Sequence, residues 1–154
     1  MAVTPYLNFS GNAREAYDFY CEAFDVPPGD RNHLMTFGQI PGGKIDSKDA
    51  ELVENAWLPL PGGSEMMLSD TPSSMPDVRV GNNVTLVIDF ADDAALHYSL
   101  GKLADGGNIG MPAGETFFAK DYAMVTDRFG VTWQLIHGIK ADPTNPTTTK
   151  LHSN

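Results

Sequence analysis

A change of hydrophobic period within residues 5–20, PYLNFSGNAREAYDFY, decides how the fold begins. The segment from Val3 to Phe9, which begins two residues before this stretch, alternates in hydrophobicity, and this pattern predicts a β-strand. Asn12, with Glu15 three residues later, is placed to cap a helix. Apolar residues then recur at helical spacing as far as Phe24. The chain is therefore expected to start with one strand followed by one helix.

Three further strands are predicted to complete this first part of the chain. The turn sequence Pro61-Gly62-Gly63 separates the last two and is typical of a hairpin. The three candidate strands are His33–Phe37, Leu52–Leu60 and Ser64–Ser69. Residues 1–70 are thus interpreted as one βαβββ module.

The same order of elements then occurs a second time, about 80 residues later. Residues 71–82 have the composition of a linker, and residues 83–137 are interpreted as the second module. Its helix is capped by Asp92 or Asp93. Its candidate strands are Asn83–Phe90, Ile109–Met111, Phe117–Thr126 and Val131–His137. The repeat is one of element order, because residue identity between the two halves is negligible.

Composition excludes several classes of function. The 154 residues include 20 acidic and 10 basic side chains, and the formal charge of −10 argues against a nucleic-acid partner. No apolar run is long enough to span a bilayer, and residues 1–11 do not resemble a signal peptide. The single cysteine, Cys21, cannot form an internal disulfide, so a cytoplasmic location is expected.

Five blocks of sequence resemble the PhnB-like branch of the vicinal-oxygen-chelate (glyoxalase/bleomycin resistance protein/dioxygenase) superfamily. The blocks are GNAREAYDFY, EMMLSDTP, GNNVTLVIDFADD, MPAGETFFAKDYAMVTDRFG and VTWQLI. The resemblance implies an α+β fold in which two βαβββ modules form curved mixed sheets with a concave pocket. It also implies a homodimer that completes or flanks the pockets. Residues 1–137 would form this domain, and residues 138–154 a polar C-terminal tail.

The resemblance makes a metal site testable, because enzymes of this superfamily commonly bind a divalent ion through His, Glu or Gln side chains. The four ligand positions would fall at Thr4 or Pro5, at Leu68 or Ser69, at Thr85 or Leu86, and at Gln134. Only Gln134 offers a plausible ligand, whereas a catalytic ion needs about three protein ligands. We therefore expect no bound metal.

No cofactor is expected either. PhnB-like chains are often described as demethylubiquinone methyltransferases, which usually hold S-adenosylmethionine on a glycine-rich loop between a strand and a helix. The Gly-Gly pairs of this chain, at 42–43, 62–63 and 106–107, fall in predicted hairpins or after a helix. None of them opens a helix.

Seven residues are predicted to bind a small molecule because large aromatic, amide and thioether side chains commonly line such pockets. They are Asn8, Asn55, Trp57, Met67, Tyr122, Trp133 and Gln134. Trp133 and Gln134 are neighbours on one strand, so they point to opposite faces. The sequence leaves open which of the two faces the pocket.

Glu115 is the candidate catalytic residue. It enters a predicted strand beside Phe117 and Phe118, and burial there would raise its pKa and suit it to proton transfer. The alternative is a surface glutamate in a hairpin. Both interpretations stay open from the sequence.

Three functions follow in order of preference. The first is a metal-independent binding protein that holds a small, partly hydrophobic molecule in the pocket of a homodimer. The second is an enzyme of the isomerase, lyase or dioxygenase type that uses Glu115, with or without Gln134 and with or without a metal. The third is a dimer whose pocket is vestigial.

Overall fold

A computed structural model describes residues 3–140, and predictions about residues 141–154, most of the expected polar tail, lie outside this range. The chain divides into two compact units, Met1–Val80 and Gly81–Asn154. The division falls inside the segment interpreted as a linker. Neither helix within residues 3–140 is long and apolar enough to cross a membrane.

The first unit is a four-stranded mixed sheet with one α-helix. Its elements are β1 (Tyr6–Phe9), α1 (Ala13–Ala23), β2 (Leu34–Thr36), β3 (Val53–Pro59) and β4 (Glu65–Asp70). The strand order is β1-β4-β3-β2. β1 runs parallel to β4, and the other two pairings are antiparallel. The predicted hairpin turn joins β3 to β4, with Gly62 and Gly63 at positive φ.

The second unit repeats this arrangement. Its elements are β5 (Leu86–Phe90), α2 (Asp93–Leu103), β6 (Asn108–Gly114), β7 (Ala119–Thr126) and β8 (Thr132–Ile139). The strand order is β5-β8-β7-β6, with β5 parallel to β8 and the remaining pairs antiparallel. The predicted α+β fold, built twice from strand, helix and three strands, is confirmed.

The core of each unit lies between its helix and one face of its sheet. In the first unit Leu58, Met66 and Leu68 are fully buried on this face, and Tyr17 and Tyr20 of α1 are buried too. Strand residues alternate between faces, so their neighbours in sequence lie on the other side of the sheet. The helix therefore leaves one face of each sheet without a helical cover inside its own unit.

The start of α1 differs from the prediction. Asn12 occupies the N-cap position, but its side chain makes no capping hydrogen bond. Asp70, at the end of β4, accepts hydrogen bonds from the backbone N–H groups of Gly11 and Ala13 at 2.8 and 3.0 Å. Its other oxygen accepts from Val53 N–H at 2.9 Å. A carboxylate 57 residues from Ala13 thus performs the capping that local sequence assigned to Asn12.

Other boundaries differ where tertiary pairing extends an element. α2 is capped as predicted, because Asp92 Oδ1 accepts from the N–H of Ala95 at 2.8 Å. β8 continues to Ile139, so the predicted tail does not begin at residue 138. β6 spans seven residues and tolerates Pro112 because it lies at the edge of the sheet.

Candidate functional site

The candidate site is the face of the first sheet that α1 does not cover, which we call the first helix-free face. Its side chains form two neighbouring rows, Tyr6, Met67 and Trp57 in one, and Asn8, Ser69 and Asn55 in the other. The register pairs Met67 with both Tyr6 and Trp57, and it pairs Asn8 with Ser69. Four residues predicted to bind a ligand, Asn8, Asn55, Trp57 and Met67, therefore share one face.

An aromatic stack stands at one end of the first row. The rings of His33 and Trp57 lie 3.7 Å apart between centroids and 20° from parallel. The backbone brings them together, because the N–H of Trp57 donates to the carbonyl oxygen of His33 at 2.9 Å. His33 was not among the residues predicted to bind a ligand, since a lone histidine before a strand carries no spacing that reveals a cross-strand partner.

Hydrogen-bonding capacity remains on this face. The Asn55 Nδ2 group donates to the hydroxyl oxygen of Tyr6 at 3.3 Å. The Tyr6 hydroxyl keeps its proton for another acceptor, and the Asn55 side-chain oxygen keeps its lone pairs. The side chain of Asn8 has no hydrogen-bond partner within residues 3–140. Tyr6, also missed from the sequence, is 45% exposed, so these groups are accessible.

The second sheet places Gln134 on its own helix-free face, but there the amide is already bonded. Its Oε1 accepts from the Tyr122 hydroxyl at 3.1 Å, and its Nε2 donates to Thr85 Oγ1 at 2.8 Å. Met124 is paired with Gln134 across β7 and β8. Tyr122 and Gln134, both predicted ligand residues, thus form a connected polar chain.

Trp133 lies on the opposite face from Gln134, so of these two neighbours only Gln134 lies on the helix-free face. Trp133 is fully buried against the helix side of the second sheet. Its Nε1 donates to Asp127 Oδ2 at 2.9 Å. Asp127 also accepts from the N–H groups of Phe129 and Val131, so it organises the turn before β8. Trp133 has a structural position and does not join the candidate site.

Glu115 lies on an exposed connection between β6 and β7, which matches the surface alternative. Its side chain is 74% exposed and pairs with Lys140, whose Nζ donates to Glu115 Oε1. This hydrogen bond and the charge of Lys140 lower the pKa of Glu115. The raised pKa expected for a buried general acid or base is therefore not what the structure gives, and the catalytic role loses its physical basis.

The residues at the superfamily's metal positions do not fit a divalent ion. Within residues 3–140 no group of three or more His, Cys, Asp or Glu side chains is placed to hold one. Of the expected ligand positions, Thr85 and Gln134 bond to each other. A metal-free protein remains a prediction, and no chemical step is assigned to a metal.

The residues do not fit a glycine-loop cofactor site either. The backbone N–H groups at the start of α1 are bonded to Asp70, and Asp92 caps α2. A carboxylate or phosphate of a cofactor usually binds such groups when they are free. Gly42-Gly43 and Gly62-Gly63 lie in turns, and Gly106-Gly107 follows α2.

Comparison with known proteins agrees with this architecture. The family model described as 3-demethylubiquinone-9 3-methyltransferase matches residues 1–136. Protein YjdN of Escherichia coli (strain K12) is 30% identical over 154 residues, which covers 94% of this chain and 99% of YjdN.

Solved structures extend the comparison. Protein PA1353 from Pseudomonas aeruginosa has a TM-score of 0.72 at 27% identity and covers 90% of this chain and 98% of its own. A putative 3-demethylubiquinone-9 3-methyltransferase, PhnB protein, from Bacillus cereus has a TM-score of 0.66 at 27% identity, with coverages of 90% and 100%. A glyoxylase/bleomycin resistance protein/dioxygenase domain from Frankia sp. EAN1pec, at 17% identity and covering 92% and 94%, shares the fold with a TM-score of 0.61. The chain therefore belongs to the PhnB-like 3-demethylubiquinone-9 3-methyltransferase family, and it shares the fold of a glyoxylase/bleomycin resistance protein/dioxygenase domain.

Proposed function

We propose that this protein binds a small, partly hydrophobic molecule on the first helix-free face, without a metal, and that it works as a homodimer. The observation that carries the proposal is the row of Tyr6, Met67 and Trp57 beside the row of Asn8, Ser69 and Asn55. An apolar row supplies contact area, and a few amides fix orientation, which is the usual composition of small-molecule sites.

Two features of the first helix-free face favour binding through Asn8, Asn55, Trp57 and Met67. Met67 is a flexible, polarisable side chain between two aromatic residues, which suits an adaptable contact. The amide of Asn8 has no partner in the described chain. Tyr122 and Gln134 have part of their polar capacity satisfied already, so we assign them a lesser share in binding.

The homodimer rests on the superfamily resemblance and on exposed apolar side chains. Tyr6, Val87, Ile109 and Met111 are each about half exposed, and Phe117 is 92% exposed. Exposed apolar side chains are thus available in each unit to pack against a second copy of the chain. Sedimentation equilibrium should give twice the chain mass of 16.7 kDa, and a stable monomer would count against this part of the proposal.

A reducing, cytoplasmic setting is proposed from the only cysteine. Cys21 is 1% exposed, and burial raises the pKa of its thiol. Such a thiol is poorly ionised and unreactive at neutral pH.

Binding is tested by a thermal-shift screen of small aromatic compounds, followed by calorimetry on the hits. Trp57→Leu should weaken binding of a hit by about tenfold or more, because a stacking partner is lost. Tyr98→Leu, on the outer surface of α2 and 44% exposed, is the matched control and should bind as the parent does. Dialysis against a chelator should leave affinity unchanged. Equal affinities for the parent and Trp57→Leu would refute the assigned site.

A further inference from the structure

We infer that the ligand of the first helix-free face is a planar, uncharged ring whose edge carries a hydrogen-bond donor next to an acceptor, as in a cyclic amide. The inference rests on the proposed function and adds the chemical class of the ligand. It is derived from the charge of the face, the stacked rings and the atoms that Tyr6 and Asn55 leave unbonded.

The absence of Lys and Arg from this face disfavours an anionic ligand and leaves the His33 ring as its one potentially cationic group among the described residues. None of the four strands of the first sheet contains Lys or Arg. Arg31, which follows α1, is engaged with the carbonyl oxygens of Val26 and Cys21. A carboxylate or phosphate on this face would lose water without gaining a fixed counterion, which is costly. A permanent cation gains little as well, since Glu65 on this face is exposed at the start of β4.

Ring stacking favours a planar ligand. Trp57 is only partly exposed and already lies flat against His33, so the face presents aromatic surface in a defined orientation. Met67 and Tyr6 continue this apolar row towards β1. A flat ring covers such a row more completely than a branched aliphatic group does, and offset stacking adds stabilisation beyond the area buried.

The remaining hydrogen-bonding atoms define the edge of the ring. The bond from Asn55 Nδ2 to the Tyr6 hydroxyl leaves Tyr6 with a donor and Asn55 with an acceptor, side by side. A ligand N–H would donate to the Asn55 oxygen, and the adjacent ligand C=O would accept from Tyr6. Asn8 offers a second donor and acceptor on the same face. A cyclic amide satisfies this pair, whereas a plain hydrocarbon leaves both atoms desolvated and unbonded.

The test uses calorimetry with four bicyclic probes of similar size. The probes are 2-quinolone, 1-methyl-2-quinolone, naphthalene and quinoline-2-carboxylate. We expect 2-quinolone to bind about tenfold or more tightly than the N-methyl compound and naphthalene, because a site built for hydrogen bonds rejects analogues that lack them. The carboxylate should bind weakest. Equal affinity of the first three probes, or tightest binding by the carboxylate, would overturn the inference.

Variants of Tyr6 and Asn55 test which side chains make the hydrogen bonds to the probe. Tyr6→Phe keeps the ring and removes the donor, and Asn55→Leu removes the acceptor. Asn55→Leu should reduce the preference for 2-quinolone over its N-methyl analogue to about twofold or less, since the acceptor of the ligand N–H is gone. Tyr6→Phe should instead weaken both compounds by a similar factor of about fivefold, since both carry the C=O that accepts from Tyr6. Asn108→Leu, at an exposed position of β6, is the matched control and should keep the full preference. A preference that survives in Asn55→Leu, or unchanged affinity for both compounds in Tyr6→Phe, would contradict the assignment.

The two proposals fail in different ways. If all probes bind equally and all are lost in Trp57→Leu, the cyclic-amide inference is wrong and the proposed function stands. The inference also fails if no probe binds while another compound from the screen depends on Trp57. If no compound binds through Trp57, both proposals fall.

Discussion

The two units share one topology, but different side chains stand where their parallel strand pairs end. Asp70 is paired with Phe9 at the end of β1 and β4, and His137 is paired with Phe90 at the matching place in β5 and β8. Asp70 accepts from three backbone N–H groups. The Nδ1 group of His137 donates to the carbonyl oxygen of Phe90 at 2.9 Å. A side-chain acceptor in the first unit and a side-chain donor in the second thus stabilise the corresponding strand ends.

The helix-free faces differ at matching positions too. Met67 pairs with Tyr6 in the first unit, and Gln134 pairs with Val87 in the second. Gln134 is bonded to Tyr122 and Thr85, whereas the first face keeps unbonded polar atoms. Helix-facing residues therefore define the fold in both units, and the helix-free residues vary in chemistry between them.

The largest effect on stability is expected at Asp70. Asp70→Ala would leave three backbone N–H groups without their acceptor, two of them in buried bonds. The free energy of unfolding should fall by about 3–5 kcal/mol, because each unsatisfied donor costs about 1–3 kcal/mol and water relieves part of this. Urea unfolding measures it. Asp77→Ala, in the exposed linker, is the control and should change stability little. A loss no larger than the control's would remove Asp70 from its capping role.

The two tryptophans lie in different units and on different kinds of face, which gives the next largest effect. Trp133→Phe removes buried volume and the hydrogen bond to Asp127, and should cost about 2–3 kcal/mol in unfolding free energy. Trp57→Phe should cost less than about 1 kcal/mol, because Trp57 is only partly buried. In single-tryptophan variants, acrylamide should quench Trp57 and leave Trp133 almost unquenched. Equal quenching would mean that the face assignment is wrong.

The sequence predicted most of the fold because hydrophobic period and turn residues act locally. The hairpin at Pro61-Gly62-Gly63 and the cap at Asp92 are confirmed. The predicted cap of α1 was wrong, because Asp70 takes the capping role expected of Asn12. It does so from a distance in sequence that no local pattern records.

The site was predicted less completely than the fold. Side-chain type placed Asn8 and Trp57 among the ligand-binding candidates, but it does not indicate which strands pair. The contacts of Tyr6 with Asn55 and of His33 with Trp57 depend on that pairing. The register of Trp133 and Gln134 became clear only with the partners of β8 known.

A smaller change in stability is expected when a polar residue is replaced on either helix-free face. Gln134→Leu breaks the chain from Tyr122 to Thr85 and should lower the unfolding free energy by about 1–2 kcal/mol. Asn8→Leu should change it by less than about 0.5 kcal/mol, because no protein bond is lost. Ligand affinity should respond in the reverse order, falling in Asn8→Leu and holding in Gln134→Leu. If Gln134→Leu lost the ligand while Asn8→Leu kept it, the site would belong to the second sheet.

The smallest effect concerns Glu115, whose pKa is lowered by its hydrogen bond with Lys140 and by the charge of that residue. A folded pKa below the unfolded value means that the pair's contribution to stability is present above the unfolded pKa and is lost as the pH falls through the folded pKa. The contribution is small because the carboxylate is exposed and solvent screens the pair. Carbon-detected NMR titration should therefore show the Glu115 carboxyl titrating below the usual glutamate value. Lys140→Met keeps the aliphatic stem and removes the charge, so it should return the midpoint towards that value. Glu115→Gln should leave ligand affinity unchanged, in contrast to Asn8→Leu. A Glu115 midpoint above the usual value would instead indicate a desolvated carboxylate, and it would restore the acid–base role that the exposed position argues against.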